Sequence, residues 1–147
     1  MTEISTTRFG KVQISTKDLI HFPQGLVGFE TCQRWILLGD SGNEAVGWLQ
    51  SATQLELAMP VISPRRFVAD YRFHVSRQQL EPIDLNEIDR AFVLVIVAKT
   101  NGTLTANLKA PLIVNLDRRL GCQILVADDY PIQHALLPPA SRLRKSA

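Results

Sequence analysis

Apolar and polar residues alternate with a period of two along much of this chain, which is the pattern of half-buried β-strands. The alternation is clear from Gly10 to Ser15 and again in three later segments, RWILLGD, AVGWLQS and LELAMPVIS. Turn residues at positions 40–43 separate the first two of these segments, so we predict that they form a hairpin. The segment YRFHV, residues 71–75, has the same alternation and is predicted as a further strand.

The segment AFVLVIVA is apolar at both even and odd positions, as expected for a strand that is covered on both faces. Asn101 and Gly102 follow it, and this dipeptide supplies the positive φ values of a tight hairpin turn. We therefore predict that residues 91–99 pair antiparallel with residues 103–110. The last strand is predicted in CQILVA, residues 122–127, and regular structure is predicted to end after it.

Proline and glycine restrict helices to single turns. Pro64 suits the first turn of a short helix, and Pro82 divides the polar segment 76–90 into two pieces of about one turn each. Ser15 or Thr16 can cap another turn that extends through Leu19. The sequence thus predicts a mainly β protein, a small antiparallel β-barrel-like single domain with one or two short helical turns.

The stretch from Thr103 to Asn115, which contains TANLKAPLIVN, has apolar residues at every even position. Pro111 lacks a backbone donor, so it marks a place where the strand leaves its ladder, bends or lies at an edge. Asn107 and Lys109 are then expected to face outward. One interpretation is that Asn107 caps a neighbouring backbone group while Lys109 is solvated, and the other is a surface that faces a partner.

The segment FPQGLVGFE contains two glycines between large apolar residues. We expect Phe22, Leu26 and Phe29 to be mostly buried and to hold an ordered loop in place. Gly25 and Gly28 are expected to adopt loop conformations that other residues resist. The segment is therefore predicted to be structural.

Charge is nearly balanced over the 147 residues, with 16 Lys and Arg, 14 Asp and Glu, and a net charge of +2. Three of the cations, Arg142, Arg144 and Lys145, lie near the end of the chain. We predict one domain over residues 1–137 and a disordered basic tail over residues 138–147. The body lacks the clustered cations of a nucleic-acid surface, and no apolar run is long enough for a membrane span, so we expect a cytoplasmic protein.

Residue patterns for catalysis or metal binding are sparse. Cys32 and Cys122 are far apart with no CxxC pair, and the three histidines have no metal-ligand spacing. The chain lacks a GxSxG elbow, a GxGxxG loop and a P-loop. Asp128 and Asp129 are adjacent, so on a strand end they point to opposite faces. No catalytic, cofactor-binding or metal site is predicted.

Five segments of the chain are informative together: TRFGKVQIS, FPQGLVGFE, LQS, LAMPVISP followed by DYRFHV, and TANLKAPLIVN. In their order and approximate spacing they resemble the bacterial flagellar assembly factor family FliW, and the resemblance covers about residues 4–137. This resemblance implies a small antiparallel barrel, a cytoplasmic location, no catalytic activity and two protein partners. One partner is the RNA-binding carbon storage regulator CsrA, which represses translation of flagellin, and the other is flagellin itself.

The resemblance also implies a mechanism, in which the free protein sequesters CsrA until unexported flagellin displaces it. The chain departs from the family pattern at Ser63-Pro64, where an acidic residue is common before the proline, and at Pro60, where an apolar residue is usual. The edge near residues 58–64 is therefore expected to differ. The candidate protein-binding residues are Gln50 in LQS, Asn107, Lys109 and Pro111. A direct RNA-binding barrel is the alternative function, and an enzyme or ligand-binding barrel is the third.

Overall fold

A computed structural model describes residues 2–136 of the chain, and the predicted tail lies outside them. The described part is mainly β, as predicted. The strands in chain order are β1 Thr2–Thr6, β2 Gly10–Ile14, β3 Ile20–His21, β4 Arg34–Gly39, β5 Val46–Ser51, β6 Ala58–Ile62, β7 Phe92–Thr100, β8 Thr103–Ala106, β9 Leu112–Asn115, β10 Leu120–Gln123 and β11 His134–Ala135.

Seven of these strands close into a barrel in the order β7-β6-β5-β4-β3-β10-β9, and β9 returns to pair with β7. All of the neighbouring pairs are antiparallel except β3 and β10, which are parallel. The nine residues of β7 allow it to pair with β9 at one end and with β8 at the other. β8 in turn pairs with β11, and β1 with β2 forms a separate hairpin.

Helical structure is limited to five short segments among the described residues. The longest is the α-helix α1 Arg77–Leu80, and the others are 3-10 turns at Thr16–Asp18, Pro64–Arg66, Glu81–Ile83 and Ile88–Arg90. The predicted turns after Ser15, Pro64 and Ser76 are therefore present. None of the helices in residues 2–136 is long and apolar enough to cross a membrane.

The barrel interior is filled by the apolar residues whose alternation predicted the strands. Trp35, Leu49, Val61 and Leu112 are at most 1% exposed and belong to one core cluster with Phe22. Trp35 Nε1 donates a hydrogen bond of 2.8 Å to the Cys32 carbonyl, so its polar atom is satisfied inside the core. Both cysteines are free thiols, and burial raises the pKa of Cys122 to about 11.

Two predicted hairpins are confirmed. β4 and β5 pair from Trp35–Ser51 to Gly39–Gly47, and β7 pairs with β8 across the predicted dipeptide. Asn101 has φ of 51° and Gly102 has φ of 79°, which are the positive values that a two-residue turn requires. The register therefore follows from the turn chemistry.

The predicted strand at YRFHV is wrong, although its alternation is real. Tyr71 is buried and its neighbours Arg72 and His74 are exposed, but the segment pairs with no strand. Its backbone bonds instead to side chains: Arg72 N donates to Tyr130 Oη at 3.1 Å, and His74 N donates to Asp128 Oδ1 at 3.0 Å. An extended segment thus has the period of a strand without a ladder.

The predicted arm 103–110 is too long, because β8 ends at Ala106 and the chain turns a corner over residues 107–111 before β9. The last strand is also shifted: it begins at Leu120, and regular structure does not end after it. β11 adds two residues against β8, with His134 opposite Ala106. The apolar periodicity did not show the corner, because residues 106, 108 and 110 stay buried through it as they would in a continuous strand.

Candidate protein-binding surface

Two of the predicted partner-facing residues are buried. Gln50 is completely inaccessible, and its Nε2 donates to the carbonyls of Ser51 at 2.9 Å and Leu55 at 3.1 Å. Its Oε1 has no hydrogen-bond partner among the described residues. Gln50 therefore orders the connection between β5 and β6 and offers no side chain at the surface.

Pro111 is also buried, and the ladder around it is nearly complete. The Pro111 carbonyl accepts from Ile124 N at 3.1 Å, and the Lys109 carbonyl accepts from Val126 N at 2.9 Å. Residues 124–126 thus continue the pairing that β10 begins. The unpaired edge expected at Pro111 is not found, because the carbonyls of Lys109 and Pro111 both accept hydrogen bonds from residues 124–126.

Asn107 holds the corner together by accepting two backbone hydrogen bonds. Its Oδ1 accepts from Lys109 N and from Ala110 N, each at 3.1 Å, which is the capping interaction that one interpretation predicted. Between Asn107 and Lys109, the Leu108 carbonyl accepts from Tyr71 Oη at 2.7 Å. Burial raises the pKa of Tyr71, so its phenol remains the donor. The corner is therefore fixed from both sides.

Lys109 is only partly exposed, and its Nζ donates to the Asp128 carbonyl at 2.8 Å. The Asp128 carboxylate accepts from His74 N at 3.0 Å and lies 2.8 Å from His74 Nδ1. These hydrogen bonds, the backbone one first, lower the pKa of Asp128. Lys109 thus links the corner to the YRFHV segment instead of being fully solvated, and a partner contact through Asn107 or Lys109 stays a prediction.

The segment FPQGLVGFE is placed as predicted in its first half. Phe22 and Leu26 are at most 1% exposed, and Gly25 and Gly28 have φ of 65° and 87°. The expectation for Phe29 is wrong, because its side chain is 37% exposed. The chain reverses at Gly28, so Phe29 leaves the core that Phe22 and Leu26 have already filled.

The turn at residues 26–29 is well ordered despite its exposed side chains. Phe29 N donates to the Leu26 carbonyl at 2.7 Å, which closes a four-residue turn. Val27 N donates to Gln123 Oε1 at 2.8 Å, and Gln123 Nε2 donates to the Ala110 carbonyl at 3.1 Å. One glutamine side chain therefore connects the turn to the corner that follows β8.

Three large apolar side chains are exposed within two residues of Gly28 or of Gln123 in sequence, and together we call Val27, Phe29 and Leu125 the apolar turn surface. Val27 is 74% exposed and Leu125 is 70% exposed. Leu125 lies two residues beyond Gln123 in an extended chain, so it is on the same side as the Gln123 side chain. Exposed apolar side chains on an ordered backbone are typical of protein interaction sites. The sequence signal for it was a run of apolar residues, GLVGF, at a turn where polar residues are the norm.

A metal site has little support in the part of the chain that the structure describes. No group of three or more His, Cys, Asp or Glu side chains there could hold a metal ion. The structure is thus that of a small closed-barrel protein that carries exposed apolar side chains on an ordered turn.

Comparison with known proteins gives the family. The sequence model of the FliW protein family matches residues 3–136, and the chain belongs to this family. The flagellar assembly factor FliW of Natranaerobius thermophilus is 38% identical over 138 residues, which are 91% of each chain. The FliW of Bdellovibrio bacteriovorus is 35% identical over 86% of this chain and 73% of its own.

A solved structure supports the same conclusion. The crystal structure of a flagellar assembly factor FliW superposes with a TM-score of 0.85 and 28% sequence identity, over 93% of this chain and 98% of that chain. This agreement includes the closed barrel that the strand order shows. The chain is thus similar to flagellar assembly factors over nearly its whole length, and a role in flagellar assembly follows from the family.

Proposed function

We propose that this protein is a non-catalytic regulator that binds flagellin and sequesters the translational repressor CsrA, so that flagellin synthesis follows flagellar assembly. Membership of the flagellar assembly factor family supports this role. The structural observation that carries the proposal is the apolar turn surface, where apolar side chains are exposed on a backbone fixed by hydrogen bonds.

Partner exchange requires no chemistry at the protein. If the two partners compete for one limited protein, each reduces the concentration available to the other by mass action. Flagellin that has not been exported occupies the protein, and the released CsrA represses the flagellin message. Export lowers the flagellin concentration, and the free protein binds CsrA again. The cytoplasm is where these two partners would be met.

The apolar turn surface can supply binding free energy because its side chains are exposed in the free protein. Full burial of a Val, Leu or Phe side chain is worth about 1.5–3 kcal/mol, so covering the exposed parts of Val27 and Leu125 would contribute roughly 1–2 kcal/mol each. The turn loses little conformational freedom on binding, since Gln123 already holds it. Most of the free energy of covering these side chains is therefore available as binding free energy.

The experiment compares two variants of the full chain by isothermal titration with flagellin and with CsrA separately. The double variant Val27→Ser, Phe29→Ser removes most of the surface, and Ile132→Ser, at a side chain that is 62% exposed elsewhere, is the matched control. We expect the double variant to weaken at least one partner tenfold or more, with the melting temperature retained, and the control to bind normally.

Two negative results are distinguishable. A parent protein that binds neither flagellin nor CsrA would refute the proposed function. Normal binding of both partners by the double variant would leave the function in place and refute the surface. A parent protein that instead binds bare flagellin leader RNA with strong salt dependence would favour the direct RNA-binding alternative.

A further inference from the structure

The ladder between β6 and β7 is short, and the reason lies in the sequence. Only Val61 and Ile62 of β6 pair with β7, although β7 has nine residues. The Ile96 carbonyl accepts from Asn107 N at 3.0 Å on the β8 side of β7. Because backbone groups alternate between the two sides of a strand, the odd-numbered residues of β7 direct their N–H and C=O toward β6.

Prolines occupy both positions that would extend this ladder, Pro60 within β6 and Pro64 two residues after β6 ends. The observed register, continued two residues in each direction, places Pro60 opposite Val97 and Pro64 opposite Val93. Both would be hydrogen-bonded pairs, and proline has no N–H to donate. At Pro64 the chain also turns away in a 3-10 turn. The backbone of Val93 therefore faces this side without a strand partner.

A groove of about 530 Å³ lies at this place. Residues 91–93 of and before β7 line it, together with the extended segment Tyr71–Phe73. Phe73, Ile88 and Phe92 are half-buried and give the groove apolar side chains. The groove thus combines an open strand edge with apolar contact area, which are the two elements of extended-peptide binding.

Two arginines give the groove its charge. Arg65 is exposed, and its Nε donates to the Tyr71 carbonyl at 3.0 Å, which orients the guanidinium and leaves both Nη groups available. Arg72 also lines the groove, and Asp89 is the acidic residue among the lining side chains. Within residues 2–136, neither arginine has a carboxylate oxygen within 4 Å. The groove thus has two arginines and one acidic residue, so a carboxylate supplied by a partner would complement its charge.

We propose that this groove binds an extended acidic segment of a partner protein. The segment lies along β7 and exchanges main-chain hydrogen bonds with Val93. One of its Asp or Glu side chains forms a bidentate, end-on pair of hydrogen bonds with the Arg65 guanidinium. The open strand edge favours a peptide over an RNA, since a nucleic acid has no main chain that could continue the ladder. The residues that line the groove include none of the apolar turn surface, so binding at the groove does not depend on which partner occupies that surface.

The probe is a fluorescein-labelled peptide of eight residues that alternates glutamate and valine, titrated with the full chain and followed by fluorescence anisotropy. A peptide that alternates lysine and valine is the charge-reversed control. We expect saturable binding of the glutamate peptide only. Arg65→Gln and Arg72→Gln should each weaken it, the first by tenfold or more, which corresponds to about 1.4 kcal/mol. Arg66→Gln, next to the groove but outside its lining, should bind like the parent.

Hydrogen exchange at the Val93 amide, followed by NMR, tests the main-chain contact independently of charge. Bound peptide should slow this exchange, while Arg65→Gln alone should leave the exchange of the free protein unchanged. Equal binding of both peptides, or parent-like binding by Arg65→Gln, would overturn the proposal. Displacement of the peptide by a single-stranded oligouridine at lower concentration than by unlabelled peptide would also overturn it and assign the groove to nucleic acid.

Discussion

Gly25 and Gly28 provide a matched test of what the FPQGLVGFE turn demands. Both have positive φ, 65° and 87°, so alanine is strained at either position. A Cβ at Gly25 would also lie 2.5 Å from the Glu30 carbonyl oxygen and 2.6 Å from the Phe29 carbonyl oxygen. A Cβ at Gly28 would meet nothing within 4 Å. The two substitutions therefore share the strain and differ in the clash.

The magnitudes follow from these two effects. Left-handed backbone costs an L-residue roughly 1–2 kcal/mol, which we expect for Gly28→Ala. The clash at Gly25 is with backbone atoms, which cannot move aside by a change of rotamer, and overpacking of this kind costs about 1–3 kcal/mol more. We therefore expect Gly25→Ala to lower the free energy of unfolding by roughly 2–5 kcal/mol.

Urea unfolding measures both values. Trp35 is completely buried and provides a fluorescence signal for loss of the core. The difference between the midpoints, at equal m-values, gives the cost of the clash alone. Equal losses in the two variants would refute the reasoning, because they would show that the turn moves to accept a Cβ against Glu30. A neutral Gly28→Ala would refute the assumption of backbone strain.

Three further predictions concern other parts of the molecule. Asn107→Ala should lower the free energy of unfolding by about 1–3 kcal/mol in urea titrations, because two backbone donors lose their acceptor. Cys122 should react slowly with a thiol reagent at pH 8 in the folded protein and quickly in urea, since burial raises its pKa to about 11. The pKa of Asp128 is lowered in the folded state, so its stabilising contribution is complete above the ordinary Asp pKa and is lost as pH falls through the lower folded value. Asp128→Asn should therefore flatten the acid side of the stability profile, and an unchanged profile would contradict this.

Local chemistry made part of the fold predictable. The turn at Asn101-Gly102 fixes both the position and the register of the β7–β8 hairpin, because few other dipeptides accept two positive φ values. The short helical turns after Ser15 and Pro64 were predictable for similar reasons, since a cap or a proline acts within one turn.

Long-range partners were not predictable. YRFHV alternates as a strand does, and nothing in its own residues shows that Tyr130 and Asp128 replace a neighbouring strand. The same limit applies to Phe29, whose apolar side chain predicts burial although it is 37% exposed and lies outside the core cluster of Phe22 and Leu26. Composition sets how much apolar surface must be buried, but not which apolar residue is left outside.

Pro60 shows how one sequence signal can be correct and still incomplete. Pro60 lies inside the segment LELAMPVIS, and a proline within a strand is typical of an edge position or a bulge, yet β6 has strands on both sides. The resolution is that a missing N–H affects only one of the two neighbours. Ser51 N donates to the Leu57 carbonyl at 2.9 Å, so odd-numbered residues of β6 bond to β5 and even-numbered residues face β7. Pro60 and Pro64 share the even parity, which is why β5 keeps its full ladder while β7 is left with an open edge. Spacing by four residues thus makes two prolines act on the same neighbour, and the proposed groove lies where the second of them directs the chain away.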